Sequence, residues 1–160
     1  MAIMLEARLN HRLRSHPARV DWAAVVGAGL FAGSAMLLVL LFLAAAVYDE
    51  SPWKIVRMMA ATVRGPAVLT PEGLPDATLG AIGLAVNYGL AILYAGALAG
   101  LITDFRRSAA PWIGIAFGVA LYFANLHGFT RLFPWFAELR TFDTFLAHAF
   151  FGLILARVLR

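Results

Sequence analysis

The sequence predicts an all-α protein, a four-helix transmembrane bundle with short interfacial helices in its outer loops. Apolar residues make up 62% of the 160 residues and charged residues only 14%, whereas a soluble domain carries about 45–50% and about 25%. A chain of this length cannot hide so much apolar surface from water by folding alone. The apolar residues also form four long runs, each close to the roughly 20 residues that cross a bilayer as a helix.

The four runs define the spans of a single transmembrane domain, residues 21–160. The first has no ionisable side chain before Tyr48. The fourth is the least apolar, because Asp143 lies at its start and Arg157 near its end, although both charges can reach the membrane interfaces. The predicted spans cover about residues 22–48, 78–102, 109–126 and 141–159.

The segment before the first span, residues 1–20, is basic and polar. It lacks the uninterrupted apolar run and small-residue cleavage site of a secretory signal. We therefore predict a cytoplasmic basic N-terminal segment, which either rests on the anionic inner leaflet or is disordered.

Basic residues are distributed unequally between the two sides of the predicted bundle. Lys and Arg near span ends favour the cytoplasmic side, so this distribution predicts that both termini are cytoplasmic. Eight basic residues fall on that side: Arg8, Arg12, Arg14, Arg19, Arg106, Arg107, Arg157 and Arg160. Five fall on the outer side: Lys54, Arg57, Arg64, Arg131 and Arg140.

The first outer connection is predicted to contain a short helix, with the Ser51 hydroxyl as its N-cap, Pro52 at its first position and Gly65 at its end. Lys54, Arg57 and Arg64 share one face of this helix, and Trp53 lies on another. A helix of this kind lies in the membrane interface. It serves either as a lipid or partner surface or simply as a cap over the bundle.

The second outer connection, residues 129–140, repeats the Pro-Trp pair at Pro134-Trp135. Its aromatic side chains are typical of the belt at a membrane interface, so Trp135 is grouped with the interfacial residues.

Small residues at four-residue spacing predict close helix packing, since they allow helix backbones to approach within a membrane. Packing inside one chain is the simplest use of these pairs, and self-association or docking to another membrane protein is the alternative. The pairs are Gly29 with Gly33, Gly96 with Gly100, Gly114 with Gly118, and Gly152 with Ala156.

A polar cluster of Asn87, Asn125, His127 and His148 is predicted inside the membrane. None of these residues carries a permanent charge, which argues against ion-coupled transport. Two haem-ligating histidines must lie at comparable depth, but His148 lies about 10 Å deeper than the start of its helix at 1.5 Å per residue, while His127 lies near an outer end. A hydrogen bond from His148 to a neighbouring helix is the simpler interpretation, and no cofactor is predicted.

Other site chemistries lack a pattern in this chain. Without cysteine, thiolate metal sites and disulfides are excluded, and His127 and His148 with Glu138 or Asp143 have no metal-motif spacing. Ser34 lacks a nucleophile elbow, so no enzyme activity is predicted. Nucleic acid is not a predicted partner, because the basic residues flank apolar runs rather than form a stripe.

Two stretches of the chain are similar to a known group of proteins. They are Ser51-Pro52-Trp53 with Arg57-Met58-Met59-Ala60-Ala61 and Gly65-Pro66, and Phe133-Pro134-Trp135-Phe136-Ala137-Glu138 leading to His148. Through them the chain resembles a group of small four-helix bacterial inner-membrane proteins of unestablished activity, often labelled "sodium:proline symporter". The resemblance covers about residues 24–158 and implies a bacterial inner-membrane location. The chain departs from the group at Lys54-Ile55-Val56, where the group has prolines.

The label itself conflicts with the predicted architecture. Sodium–solute symporters are built from repeats of several helices, with broken helices at a midplane site, which four unbroken helices do not reproduce. Three functional hypotheses remain open. The first is a non-enzymatic accessory or scaffold component of a larger membrane complex, the second a small oligomeric transporter or channel, and the third a haem- or quinone-binding subunit. The bilayer is the predicted partner in all three.

Overall fold

The computed structural model describes residues 21–69 and 75–160, so the predicted N-terminal segment lies outside the described residues. The described residues form five main helices, with a 3₁₀ turn after α2 and a π turn and two 3₁₀ turns between α4 and α5. The helices are α1 (Trp22–Ala46), α2 (Trp53–Arg64), α3 (Ala77–Ile102), α4 (Ala110–Phe123) and α5 (Phe142–Val158).

Three helical stretches are long and apolar enough to cross a membrane: Trp22–Ala46, Ala77–Ile102 and Ala110–Arg131. The third is longer than α4 because the chain stays helical through a π turn, Ala124–Gly128, and a 3₁₀ turn. The predicted fourth span is not among them, since α5 has only 17 residues. The described chain is therefore a helical protein with three candidate membrane spans.

Side-chain caps mark the starts of three helices. Asp21 accepts from Ala23 N and Ala24 N at 3.0 and 3.2 Å at the start of α1, and Asp76 and Thr141 cap α3 and α5 in the same way. Such caps satisfy backbone N–H groups that have no partner within the helix.

The predicted N-cap of α2 is wrong. Lys54 N donates to the backbone carbonyl of Ser51 at 2.9 Å, and α2 begins without a side-chain cap. The predicted end at Gly65 is confirmed: its φ of +83° is a conformation that favours glycine.

Glycines set the helix pairing. An added Cβ at Gly29 would lie 2.7 Å from Ile92 Cα, and one at Gly33 would lie 2.8 Å from Ala91 Cβ, which places α1 antiparallel to α3. In the second pair, Gly114 lies against the carbonyl oxygen of Gly152, and α4 runs antiparallel to α5. The small residues remove the side chains that would otherwise hold these backbones apart.

The predicted glycine pair in α3, Gly96 with Gly100, does not make a close helix contact. Gly96 faces Trp22 and Val25 at 3.7 and 3.8 Å, and nothing among the described residues lies within 4 Å of a Cβ at Gly100. A glycine outside the predicted set has the tighter role, because a Cβ at Gly83 would lie 2.6 Å from the backbone oxygen of Val56. This contact seats α2 against α3.

The ends of the helices define two ends of the bundle. The Tyr48 hydroxyl, after α1, donates to Asp143 Oδ2 at 2.8 Å near the start of α5. At the opposite end, Arg160 Nη2 donates to the carbonyl of Phe105 in the α3–α4 connection at 3.3 Å. Residues 21 and 160 therefore lie at the same end, and α2 with the α4–α5 connection lies at the other.

Two apolar clusters form the core. The larger joins α1, α3, α4 and α5 through small residues such as Ala28, Ala32 and Ala95 and larger ones such as Leu98 and Leu155. The smaller lies beneath α2, where Ile55 and Met58 pack on the C-terminal part of α1. These contacts hold α2 across this end of the bundle.

Candidate functional site

A cavity of about 580 Å³ lies inside the bundle beneath α2. Its walls come from α1, α3, α5 and the C-terminal end of α4, and its remaining side is closed by α2 and the aromatic α4–α5 connection. The cavity exists because the glycine contacts hold α3 to α1 and α4 to α5, whereas α3 and α4 scarcely touch.

The cavity is open on the side where α3 faces α4. Ala85, Gly89 and Leu90 of α3 line it and are themselves exposed, as is Phe129 on the opposite rim. No charged side chain lines the cavity among the described residues. The opening is therefore apolar and faces sideways from the helix axes.

His148 is the most deeply placed titratable side chain of this cavity, with only 7% of its surface exposed. Its Nδ1 lies 2.8 Å from the carbonyl oxygen of Thr144, one turn earlier in α5. A carbonyl can only accept, so Nδ1 donates, and in the neutral imidazole Nε2 is an acceptor. The His148 ring also packs edge-on against Tyr122, at 5.6 Å between centroids.

Asn125 lines the cavity from the π turn at the end of α4. Its Oδ1 accepts a 2.7 Å hydrogen bond from the hydroxyl of Tyr94 in α3. This bond joins α3 to the π turn across the cavity, where the two helices are otherwise separate. With Oδ1 occupied, the amide Nδ2 of Asn125 is a donor available to a further acceptor.

Arg140 holds the π turn in place. Its Nε donates to the carbonyl of Leu126 at 2.6 Å, and its Nη2 donates to the hydroxyl of Thr130 at 2.6 Å. The Thr130 hydroxyl in turn donates to the same carbonyl at 3.1 Å. The carbonyl of Leu126 at the helix end is thus satisfied, which fixes the backbone that carries Asn125.

Asn87 lies on the α1 side of the cavity and is 8% exposed. Its Nδ2 donates to the backbone carbonyl of Gly33 at 3.4 Å, and a hydrogen bond of 3.0 Å joins the hydroxyls of Ser34 and Tyr88 nearby. Three members of the predicted polar cluster, Asn87, Asn125 and His148, therefore share one cavity.

His127 does not join them. It is exposed, and its ring packs at a tilt against Tyr122 and Phe123, with ring centroids 5.6 and 5.5 Å apart. His127 does not line the cavity, whereas His148 is buried and does. Among the described residues no group of three His, Cys, Asp or Glu side chains is placed to hold a metal ion.

The predicted interfacial residues are only partly on one surface. Arg64 is exposed, but Arg57 is buried at 8% exposure between α2 and the bundle, so the three basic residues do not form a common outer face. Trp53 packs on Gly80 of α3. Trp135 turns inward and donates from Nε1 to the carbonyl of Met58 at 3.1 Å, which ties the second outer connection to α2.

Lys54 joins both outer connections through ion pairs with Glu50 and Glu138, each at 2.7 Å. Burial alone would lower the pKa of Lys54, but hydrogen bonds to Glu138 and Glu50 and their negative charges outweigh burial and raise it. A smaller cavity of about 170 Å³ lies beneath these ion pairs. It shares Leu40, Leu139 and Thr144 with the main cavity, so these side chains form the wall between the two.

No match was found when the chain was compared with protein-family models, curated proteins and solved structures. The resemblance to the small four-helix inner-membrane proteins stays a prediction.

Tyr94 and Thr144 are polar side chains within the predicted spans, but the predicted cluster does not include them. Tyr94 lies seven residues after Asn87, and Thr144 lies four before His148. Residues four or seven apart lie on the same face of a helix. The spacing could therefore have added Tyr94 and Thr144 to the predicted cluster. The role of Arg140 had no such signal, because it depends on the path of the α4–α5 connection.

Proposed function

We propose that this chain is a four-span, non-enzymatic membrane protein that binds an apolar molecule dissolved in the bilayer. The observation that carries the proposal is the apolar cavity whose opening faces sideways between α3 and α4. The size of the cavity falls within the roughly 300–1,000 Å³ of typical ligand sites. Apolar walls with a few polar groups are also typical of such sites.

The membrane setting of the cavity follows from the outer surface of the helices. Phe31, Leu38 and Leu93 on α1 and α3 are 62–66% exposed, and an apolar surface of this extent requires a lipid or protein cover. Because α3 is a candidate span and lines the opening, hydrocarbon would lie directly against it. A molecule within the bilayer can then enter without crossing water.

The surface of α5 supports a fourth span. Phe142, Leu146 and Phe150 recur every four residues and are 70%, 39% and 60% exposed, so they form an outward apolar stripe. The 17 residues of α5 lie at the lower limit of about 17–25 for a spanning helix. Because α5 packs along the length of α4, it also reaches the same depth in the membrane as α4.

The orientation proposed for this bundle places residues 21 and 160 in the cytoplasm. Arg106, Arg107, Arg157 and Arg160 all lie at the end that these two residues share, and basic residues near span ends favour the cytoplasmic side. In this orientation α2 lies on the periplasmic side of a bacterial inner membrane.

Among the three functional hypotheses, the cavity favours ligand binding. A haem bridging two histidines is disfavoured, because His127 is exposed and lies outside the cavity that His148 lines. A role as an accessory component of a larger complex is compatible with ligand binding and stays a prediction, as does transport by an oligomer.

The topology can be tested with single cysteines, because the chain contains none. Ser51→Cys and Ser108→Cys lie at exposed positions at opposite ends of the bundle, and Arg160→Cys reports the end of α5. In intact bacteria, a membrane-impermeant maleimide should label only Ser51→Cys, and the other two should react after permeabilisation. Labelling of Arg160→Cys together with Ser51→Cys would contradict the fourth span.

Binding can be tested with a phospholipid that carries a diazirine in its acyl chain, in nanodiscs containing the purified protein. Photolabelling at Leu121, which is buried yet lines the cavity, would show that a chain enters. Ala85→Phe at the opening should reduce this label several-fold. Ala81→Phe, one turn away on the exposed surface of α3 and not lining the cavity, is the matched control. Absence of label at Leu121 in the unmodified chain would overturn the binding proposal.

A further inference from the structure

We propose that the ligand of the lateral cavity carries a neutral hydroxyl group, held between the Asn125 amide and the His148 imidazole. The proposal rests on the proposed function, since it names the chemical class of molecule that the cavity binds. It follows from the hydrogen-bonding state of the two side chains rather than from the volume of the cavity.

His148 supplies an acceptor. Its Nδ1 is committed to the Thr144 carbonyl, and no hydrogen bond is made by Nε2 within the described part of the chain. Nε2 is not among the fully buried atoms without a partner, and the side chain that carries it lines the cavity. A side chain that is more than nine-tenths buried and still has an open acceptor favours a donor from a bound molecule.

Asn125 supplies a donor. Its Oδ1 is held by Tyr94, which leaves the Nδ2 protons directed away from that bond. Asn125 and His148 both line the cavity. The cavity therefore offers a bound molecule an open donor from Asn125 and an open acceptor from His148.

A hydroxyl group satisfies both partners, because its oxygen accepts and its hydrogen donates. An ether or an ester oxygen can only accept and would leave His148 Nε2 open. A carboxylate is disfavoured for a second reason, since no Lys or Arg among the described residues lines the cavity to balance its charge. A neutral alcohol is therefore the group that matches both the Asn125 donor and the His148 acceptor.

Two kinds of bilayer molecule carry such a hydroxyl. One is an aliphatic alcohol, such as a long-chain alcohol or a diacylglycerol, and the other is the ring hydroxyl of a quinol. Both share the donor-and-acceptor chemistry, and the experiment below separates them.

The experiment measures competition against the photoreactive phospholipid at Leu121 in nanodiscs. The competitors are a long-chain alcohol, its methyl ether and the carboxylic acid of the same chain, with a short-tailed quinol and its quinone as a second pair. One hydrogen bond changes affinity by roughly twofold to tenfold. The alcohol should therefore compete at a mole fraction lower than the ether by about that factor.

Single substitutions show which side chains cause the preference for the alcohol over the ether. His148→Phe and Asn125→Leu should each abolish the advantage of the alcohol while the ether still competes. His127→Phe, which changes the histidine outside the cavity, should leave the advantage unchanged. The comparison of alcohol with ether in the unmodified protein needs no variant, so it decides the proposal even if a variant fails to fold.

The outcomes separate this proposal from the proposed function. If Leu121 is not labelled at all, binding itself fails. If Leu121 is labelled but alcohol and ether compete equally, or the acid competes best, binding stands and the hydroxyl proposal is wrong. Competition by the alcohol supports an aliphatic hydroxyl, and competition by the quinol but not its quinone or the alcohol supports a ring hydroxyl.

Discussion

Gly118 of α4 lies directly against the backbone carbonyl oxygen of His148 in α5, with no room between them for a Cβ atom. The side chain of His148 lines the cavity from the same residue. Helix packing and the site are thus joined at one point, because the depth and rotation of His148 depend on how closely α5 approaches α4.

Gly118→Ala should destabilise the protein by about 1–3 kcal/mol, the usual cost of overpacking a well-packed core. The added methyl group meets backbone rather than a flexible side chain, so α5 must shift. The free energy of unfolding in detergent, followed by circular dichroism, measures the loss.

Gly27→Ala is the matched control, because nothing among the described residues lies within 4 Å of its Cβ position in α1. It should be neutral or stabilising by no more than about 1 kcal/mol, the difference in helix propensity between alanine and glycine. Equal effects of the two substitutions would show that α4 and α5 are not in backbone contact at Gly118.

Tyr94→Phe should weaken the link between α3 and the π turn. The lost hydrogen bond to Asn125 is interhelical, and such bonds in membranes contribute about 0.6 kcal/mol on average and about 1.7 kcal/mol at most. A double-mutant cycle of Tyr94→Phe with Asn125→Leu measures the coupling. Tyr122→Phe with Asn125→Leu is the control cycle, and a coupling near zero in the first cycle would contradict the link.

Three spans could be predicted from the sequence, because a helix in lipid needs only length and apolar side chains. The predicted boundaries of the first two lie within two residues of α1 and α3, at residues 22–48 and 78–102 against Trp22–Ala46 and Ala77–Ile102. The third candidate span continues to Arg131 instead of ending near the predicted residue 126. The chain stays helical there through a π turn with i→i+5 hydrogen bonds, and the sequence pattern shows no break at that point.

The cavity could not be predicted from the sequence, since it depends on which helices pair. Glycine spacings in α1 and α4 indicated close packing but not the partner, and the gap between α3 and α4 follows from that choice. His127 and Asn125 are two residues apart in one helical stretch, and side chains at this spacing do not face the same side of a helix. Asn87, Asn125 and His148 therefore meet, while His127 faces outward.

Lys54→Met should remove a pH-dependent stabilisation of the outer connections. The pKa of Lys54 is raised above its ordinary value of 10.5, so the stabilisation is fully present below pH 10.5 and is lost as the pH rises through the raised pKa. At neutral pH we expect a loss of less than about 1 kcal/mol, since the ion pairs are partly exposed and screened.

The measurement is the difference in melting temperature between the unmodified chain and Lys54→Met, at neutral pH and at a pH above the raised pKa. The difference should shrink at alkaline pH and in high salt. A difference that stays constant under both conditions would contradict an ionic origin and indicate lost packing of the lysine side chain.

Asp49→Gly should stabilise the end of α1. Asp49 has a φ of +51°, a left-handed conformation that favours glycine, and the next residue, Glu50, donates from its backbone N to the carbonyl of Ala44 at 2.8 Å. The relief of left-handed strain exceeds the entropy cost of glycine by no more than about 1 kcal/mol. Thermal unfolding should rank Asp49→Gly above the unmodified chain and Asp49→Val below it, and the reverse order would contradict this geometry.

Arg140→Lys should loosen the π turn although it keeps the positive charge. Lysine cannot reproduce the two bonds that Arg140 makes to the Leu126 carbonyl and the Thr130 hydroxyl, because its three donors share one nitrogen and lack the fixed fork of the guanidinium. Loss of such bonds should cost about 1–2 kcal/mol and displace Asn125, so photolabelling at Leu121 should lose its preference for the alcohol competitor over the ether. Arg131→Lys, an exposed residue of the same connection, should change neither quantity. If Arg140→Lys also leaves both unchanged, the position of Asn125 does not depend on this clamp.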